Sequence, residues 1–292
     1  MRIPFLILTP ACVVVGVGTA YWQTQELNWN HILLVLIGAV SAHISVNVFN
    51  EYFDFVSGLD AKTRRTPFSG GSGTLPAHPE MKKAALILAW MTFTITMIIG
   101  LYFVWLRGPQ LLPIGIIGLL LLITYTIWWV YQPILCLIAP GLGFGVLMIM
   151  GTHFALTGTY SWTSFVASLV PTFLVSDLLL LNQFPDVKAD QSIGRKHYPI
   201  VIGRKLSSTL YGVLLLLAYF SIVAGVILKL LPIYSLIAIL TAVLAWRAYQ
   251  NTSRNAENIP ALMPAMGMNV IINISTPVLL AVGLFIGAYV IQ

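Results

Sequence analysis

The sequence predicts an all-α fold, a polytopic membrane bundle of about nine transmembrane helices. Three observations predict it. Charged residues make up only 8% of the 292 positions and hydrophobic ones 58%, with mean hydropathy +0.90, whereas a soluble domain carries about 25% charged residues. The apolar runs recur at the roughly 20-residue length that crosses a bilayer. Thirteen of the fifteen Lys and Arg residues fall on one alternating set of the segments flanking those runs.

Taken in order, the spans lie near 3–22, 30–53, 83–106, 111–130, 134–157, 162–184, 207–230, 232–249 and 265–290. The first follows Met1-Arg2 and could pass for a signal peptide. No small-residue cleavage site precedes a soluble domain, however, and further spans follow, so it reads as a membrane helix. The second and sixth each end in an acidic cluster. Only Lys229-Leu230-Leu231-Pro232 separates the seventh from the eighth. Runs apolar on every face suit a membrane interior, not the surface of a soluble domain. No linker or low-complexity segment divides the chain, which reads as one domain over 1–292.

An odd number of spans with the N-terminus inside puts Arg2, Lys62, Arg64, Arg65, Lys82, Lys83, Lys188, Arg195, Lys196, Arg204, Lys205, Arg247 and Arg254 on the cytoplasmic side. Only Arg107 and Lys229 then lie outside. Such a bias sets topology and points to a cell (inner) membrane. It also accounts for the net charge of +6 without a nucleic-acid partner. Cys12 and Cys136 sit inside apolar runs and read as small buried side chains, not as a disulfide or metal framework.

Five of the nine acidic residues fall in two stretches. One runs from Asn47 through Asn50, Glu51, Tyr52 and Asp54 to Asp60. The other runs from Asn182 through Asp186 and Lys188 to Asp190. On a helix Asn47, Asn50 and Asp54 share a face, with His43 one turn deeper, and Asp60 can fold back beyond Gly58. Asn182, Asp186 and Asp190, at i, i+4 and i+8, form a second stripe that Pro185 should kink or end. Each cluster leads into a basic loop, the first of which holds Gly70-Gly71-Ser72-Gly73. The repeated order of helix, acidic end and basic loop hints at an internal duplication.

Ionisable groups at a membrane boundary are costly and tend to be functional. Mg²⁺ takes oxygen ligands from a few carboxylates and from substrate phosphates. Asn50, Asp54, Asp60, Asp186 and Asp190 are therefore the candidate Mg²⁺ ligands. Asn47, Asn50, Asn182, Arg64, Arg65, Lys188, Arg195 and Lys196 are candidates to bind a diphosphate. Asp54 and Asp186 would act on the departing pyrophosphate. Tyr52, Tyr125 and Tyr131 are candidates to stabilise, by cation–π attraction, the allylic cation that the family resemblance of these motifs implies. No side chain stands out as the proton-accepting base. Asp177, deeper in its span and off the stripe, suits a helix–helix hydrogen bond, and His43 a satisfied bundle histidine.

These residues resemble the UbiA superfamily of intramembrane prenyltransferases. The first motif of that family is similar to Asn50-Glu51-Tyr52-Phe53-Asp54 with Asp60, the second to Asn182, Asp186, Asp190 and Gly194. Gly141-Leu142-Gly143, Gly151 and Gly158-Thr159-Tyr160 also fit its pattern. The resemblance implies nine helices around a central cavity open sideways to lipid, Mg²⁺ on both motifs, a polyprenyl diphosphate donor and a lipophilic aromatic acceptor. The first motif is most similar to the branch that prenylates 1,4-dihydroxy-2-naphthoate. Pro185, Phe144, Arg195 and His197 depart from that branch, where Arg, Glu, Lys and Thr are usual; these departures bear on the acceptor more than on the reaction. Other acceptors used across the superfamily are 4-hydroxybenzoate, homogentisate, chlorophyllide, haem and glycerol-phosphate lipids. A cation-coupled transporter would need polar residues near mid-bilayer, and a CDP-alcohol phosphotransferase a single compact Asp array; this chain splits its acids between two distant helix ends.

Overall fold

The computed structural model describes residues 3–290. Among them there are helices and no strands. Nine helices are long and apolar enough to cross a membrane: α1 (Pro4–Thr24), α2 (Trp29–Val56), α3 (Pro79–Arg107), α4 (Pro109–Ile127), α5 (Pro133–Thr157), α6 (Trp162–Asn182), α7 (Gly203–Ile227), α8 (Ile233–Asn255) and α9 (Ile259–Val290). The protein is an integral, multi-pass membrane protein.

The start of α9 and the α7–α8 boundary each have a local cause. Helix α9 starts six residues earlier than 265 because the Asn258 side chain accepts from the Ala261 amide at 3.3 Å and Pro260 occupies its first turn, where no amide is needed. The α7–α8 boundary falls where expected. There Lys229 takes a positive φ of 58°, and the Leu230 and Leu231 amides close back on the Gly225 carbonyl at 2.9 and 3.0 Å.

Burial is uneven. Helices α1, α6 and α9 are the most enclosed, and α3 and α4 the most exposed to lipid. Helix α1 works on two fronts: Cys12 and Val15 belong to a core with Leu174 and Leu181 of α6, Tyr211 of α7 and Leu280 and Leu284 of α9. Val13 and Val17 belong to another with Val35 of α2, Phe103 of α3 and Phe154 of α5. Two threonines of α1 add buried polar ties, Thr9 to His43 Nδ1 at 2.7 Å and Thr19 to His153 Nδ1 at 3.0 Å. Asp177 makes the helix–helix bond its position suggested, accepting from Asn273 Nδ2 of α9 at 3.5 Å.

Helix α5 is not regular. Pro140 lies in its interior, and Gly143–Met150 winds as a π-helix. Proline removes an intrahelical donor, and wide turns of this kind gather at functional sites. The same stretch packs against α6 through small residues. A Cβ on Gly141 would lie 2.2 Å from the Thr172 carbonyl and Ser176 Oγ, and one on Gly145 would lie 1.9 Å from Thr172 Oγ1 and 2.6 Å from the Ser168 carbonyl. Glycines four apart against a Ser168–Thr172–Ser176 stripe let two membrane helices approach closely. Replacing Gly145 by Leu should therefore destabilise the detergent-solubilised protein by about 1–3 kcal/mol. Gly143→Ala, whose new methyl would meet only Leu121 at 3.9 Å, should be nearly neutral. Thermal unfolding of the two variants side by side checks the difference.

Candidate active site

The end of α2 shows how the first motif is built. The helix stops at Val56, Gly58 takes φ 76°, and the amides of Leu59 and Asp60 turn back to the Asp54 carbonyl at 3.0 and 3.4 Å. This left-handed termination suits glycine and returns Asp60 to the space beside Asp54. The second motif is not one continuous helical stripe. Helix α6 ends at Asn182, the chain turns through Pro185 with the Asp186 amide on the Gln183 carbonyl at 3.2 Å, and a short helix, Val187–Gln191, carries Asp190. The turn reflects proline at 185, and it still leaves all three side chains on one wall.

Both motifs face a cavity of about 690 Å³. Asn47, Asn50, Asp54 and Asp60 line it from the α2 side, and Asn182, Asp186, Asp190 and Arg195 from the α6 side. Arg195 joins the two. Its Nη1 donates to Asp190 Oδ1 at 3.0 Å, and its Nη2 donates to Asp54 Oδ1. The three side chains are between 7% and 14% exposed. Burial weighs against the Arg195 charge, but the Asp54 and Asp190 carboxylates outweigh it and hold its pKa above the ordinary value. Asp60 is shifted upward, first by burial and then by the Glu51 carboxylate, against the pull of Arg65 and Arg195.

Below this polar end the cavity continues along α2 past His43, Ala39 and Gly38 to Val35, about 28 Å at 1.5 Å per residue. That is close to the ~30 Å hydrocarbon thickness of a bilayer. The wall there is mostly apolar, and Leu101, Leu112 and Ile116, which line it, are exposed residues. They belong to α3 and α4, the two least enclosed helices.

The remaining sequence candidates divide between the cavity wall and its surroundings. Tyr125 lines the cavity, whereas Tyr52 and Tyr131 do not. The Tyr52 ring packs on Phe53 and carries the Lys82 ammonium 5.6 Å from its centroid. Tyr131 lies in a short 3₁₀ turn between α4 and α5. Arg64, Arg65, Lys188 and Lys196 are exposed and off the cavity wall. Basic residues in membrane-edge loops favour water, which keeps four of the five off the wall; Arg195 is held in by two carboxylates.

The oxygen set fits Mg²⁺. Asn50 donates its amide nitrogen to Thr126 Oγ1 at 3.2 Å, which leaves the carbonyl oxygen as its ligating end. Asn182 Oδ1 is buried with no hydrogen-bond partner. With the carboxylates of Asp54, Asp60, Asp186 and Asp190 these make a hard, oxygen-only donor set. Among the described residues no three acidic, His or Cys side chains are gathered tightly enough to hold an ion by themselves, so the set closes only with the Asn oxygens and ligands from a substrate.

The sequence profile of the UbiA prenyltransferase family matches residues 11–273. This chain belongs to that family. Among named relatives, the 1,4-dihydroxy-2-naphthoate octaprenyltransferase of Bacillus subtilis (strain 168) is 29% identical over 67% of this chain and 62% of its own length. The chain thus spans a little under two thirds of that relative. The protein of the same name from Escherichia coli (strain K12) is 25% identical over 99% of this chain and 94% of its own. Among solved structures, the apo structure of a UbiA homolog from Aeropyrum pernix K1 superposes with TM-score 0.73 at 16% identity, covering 98% of both chains. A UbiA homolog from Archaeoglobus fulgidus bound to GPP and Mg²⁺ gives TM-score 0.63 at 12% identity, over 96% of this chain and 98% of that one. At these identities the likeness is one of fold.

Within this UbiA-family frame the structure adds site residues that motif spacing alone did not single out. His197 is buried and its Nε2 lies 3.0 Å from Asp190 Oδ2, which fixes that carboxylate from the side opposite Arg195. Glu51 Oε1 accepts from the Ser72 amide at 3.1 Å, drawing the glycine-rich loop over the cavity mouth, where Gly70 and Gly71 line the wall. The run of glycines was the available signal for that loop. Removing Arg195 would leave two buried carboxylates without their shared cation. In metal-free protein Arg195→Gln should cost about 3–5 kcal/mol. Glu257→Gln, which breaks a pair with Arg204 whose carboxylate is 68% exposed, should cost under ~1 kcal/mol. Equal unfolding temperatures for the two variants would rule out the bridging role.

Proposed function

We propose that the protein transfers a polyprenyl group from its diphosphate to an aromatic acceptor within the membrane, a quinone precursor of the 1,4-dihydroxy-2-naphthoate class. The observation that carries this reading is the meeting of two acidic motifs, at the ends of α2 and α6, over a long apolar cavity walled in part by the little-enclosed α3 and α4. The relatives named for naphthoate prenylation support the choice of acceptor. The bias of Lys and Arg toward one set of loops supports a cytoplasmic active-site end.

The chemistry divides by depth. Asn50, Asp54, Asp60, Asn182, Asp186 and Asp190 would hold Mg²⁺, which when bound takes up charge on the departing pyrophosphate. Arg195 is already at the site with two N–H groups committed to carboxylates. A diphosphate offers it a bidentate partner in exchange. The allylic C–O bond breaks, and pyrophosphate leaves with the electron pair. A ring carbon of the acceptor then attacks the prenyl C1, and the ring proton is lost. Tyr125, alone among the three candidate tyrosines on the cavity wall, supplies an aromatic ring beside the forming cation. The apolar wall shelters the prenyl tail and keeps water from the cation.

The test is direct. Purified protein given octaprenyl or geranylgeranyl diphosphate, 1,4-dihydroxy-2-naphthoate and Mg²⁺ should yield prenylated product by mass spectrometry, and EDTA should abolish it. Asp54→Asn, Asp186→Asn and Asp190→Asn should each lower turnover by about 10²–10³. Near-normal turnover in any of the three would remove that residue from the site. Folded protein that releases no pyrophosphate with 1,4-dihydroxy-2-naphthoate or with the acceptors of other branches would refute prenyl transfer.

A further inference from the structure

The acidic motifs and the apolar shaft account for a diphosphate and its tail, but not for the acceptor. Its reacting carbon must reach the prenyl C1, which sits next to the diphosphate. The acceptor ring therefore belongs at the level of the motifs, not in the shaft. Along α4, α5 and the end of α6 three polar side chains that are not among the candidate metal or diphosphate ligands line the wall beside the motifs: Tyr125, Cys136 and Gln183.

They form a linked group. Gln183 Nε2 donates to Cys136 Sγ at 3.2 Å, and the Tyr125 hydroxyl interacts with the same sulfur. Arg195 is close enough to act on both Tyr125 and Cys136 electrostatically. Gln183 and Cys136 are 8% and 2% exposed. A thiol is a weak acceptor, so the Gln183 amide is buried with a poor partner and would gain from a better one. Beside it the α5 wall is flat: Pro140 and Gly143 follow Cys136 at i+4 and i+7, on one face, and both line the cavity. A flat wall with one under-satisfied amide at its upper edge fits an aromatic ring bearing an oxygen substituent.

We propose that Gln183 is the acceptor-selecting residue, its amide hydrogen-bonding a ring oxygen of the acceptor in place of the Cys136 sulfur, with Tyr125 and Cys136 shaping that edge. The proposal rests on the prenyl-transfer reading above. It assigns no role to Gln183 in binding the diphosphate.

The experiment measures acceptor and donor KM separately, with 1,4-dihydroxy-2-naphthoate and octaprenyl diphosphate at saturating Mg²⁺. Gln183→Leu keeps the bulk and removes the amide. It should raise the acceptor KM about tenfold, one hydrogen bond's worth, with the donor KM unchanged within about twofold. The Cys136 variants should move in opposite directions. Cys136→Ser gives Gln183 a stronger competing partner and should raise the acceptor KM; Cys136→Ala releases the amide and should lower it. A merely structural role for this wall would move both the same way. An unchanged acceptor KM in Gln183→Leu, or shifts of one sign in the two Cys136 variants, would overturn the proposal while leaving prenyl transfer intact. A wild-type protein that prenylates no aromatic acceptor would instead overturn the functional reading, and this inference with it.

Discussion

The Arg195 bridge between Asp54 and Asp190 is the contact on which the rest of the site depends. Asp54 ends α2 and Asp190 follows α6, two helices far apart in sequence. Two carboxylates brought face to face in a half-dry cavity repel, and neither is stable there without a cation. A single guanidinium, planar and forked, can donate to both at once. It thereby holds the two motifs at one distance and in one orientation before any ligand arrives. The cost of burying that charge is offset by the pair of carboxylates, and the upward shift of the Arg195 pKa expresses the balance. His197, on the other oxygen of Asp190, keeps that carboxylate from rotating away.

A bridge of this kind works only if the helices behind it are rigid, and the uneven packing supplies that. The motif-bearing α6 is among the most enclosed helices. It is clamped on one side by the Gly141 and Gly145 approach of α5 and on another by the Asp177–Asn273 bond to α9. The outer helices α3 and α4 are tied to α2 by Thr96 on the Gly38 carbonyl and Asn50 on Thr126, and present large apolar side chains to lipid, Ile98, Trp105 and Ile116 among them. The result is a polar end backed by enclosed helices beside an apolar shaft whose outer wall is formed by the two most exposed ones. A metal–diphosphate site needs oxygens held in place, whereas a flexible hydrocarbon tail needs only dry volume.

Much of this was legible in the sequence, and what was not has specific physical causes. Span number, the pairing of the two motifs and the return of Asp60 beyond Gly58 follow from hydropathy, helix spacing and the conformational freedom of glycine. The break after Asn182 was half legible: Pro185 announced it, but three residues at i, i+4 and i+8 suggested a continuity that the turn replaces with a second short helix. The π-helix of α5 was not legible, because Pro140 and its neighbouring glycines permit several distortions and only packing against α6 selects one. Nor could spacing choose among Tyr52, Tyr125 and Tyr131, or among five basic residues. Which way a loop side chain turns is set by partners from other helices, such as Lys82 over Tyr52 and the carboxylates around Arg195.

The depth of the cavity carries a last consequence. A closed shaft ending at Val35 would set an upper limit on tail length near the thickness of the bilayer. On the proposed function the outer wall bears on that limit: Leu101, Leu112 and Ile116, on the two least enclosed helices, line the shaft and are exposed, so a tail that outgrows it would pass between α3 and α4 into lipid. On the same reading an oily substrate would enter from the membrane on that side while the charged end stays at the boundary. The wall therefore exerts little selection on the tail, because apolar contact with protein and with lipid differs little in free energy. On the proposed function, selection would reside where groups are buried and directional, at the motifs and on the Tyr125–Cys136–Gln183 edge beside them. There a missing or misplaced hydrogen bond leaves a desolvated polar group with no water to replace its partner.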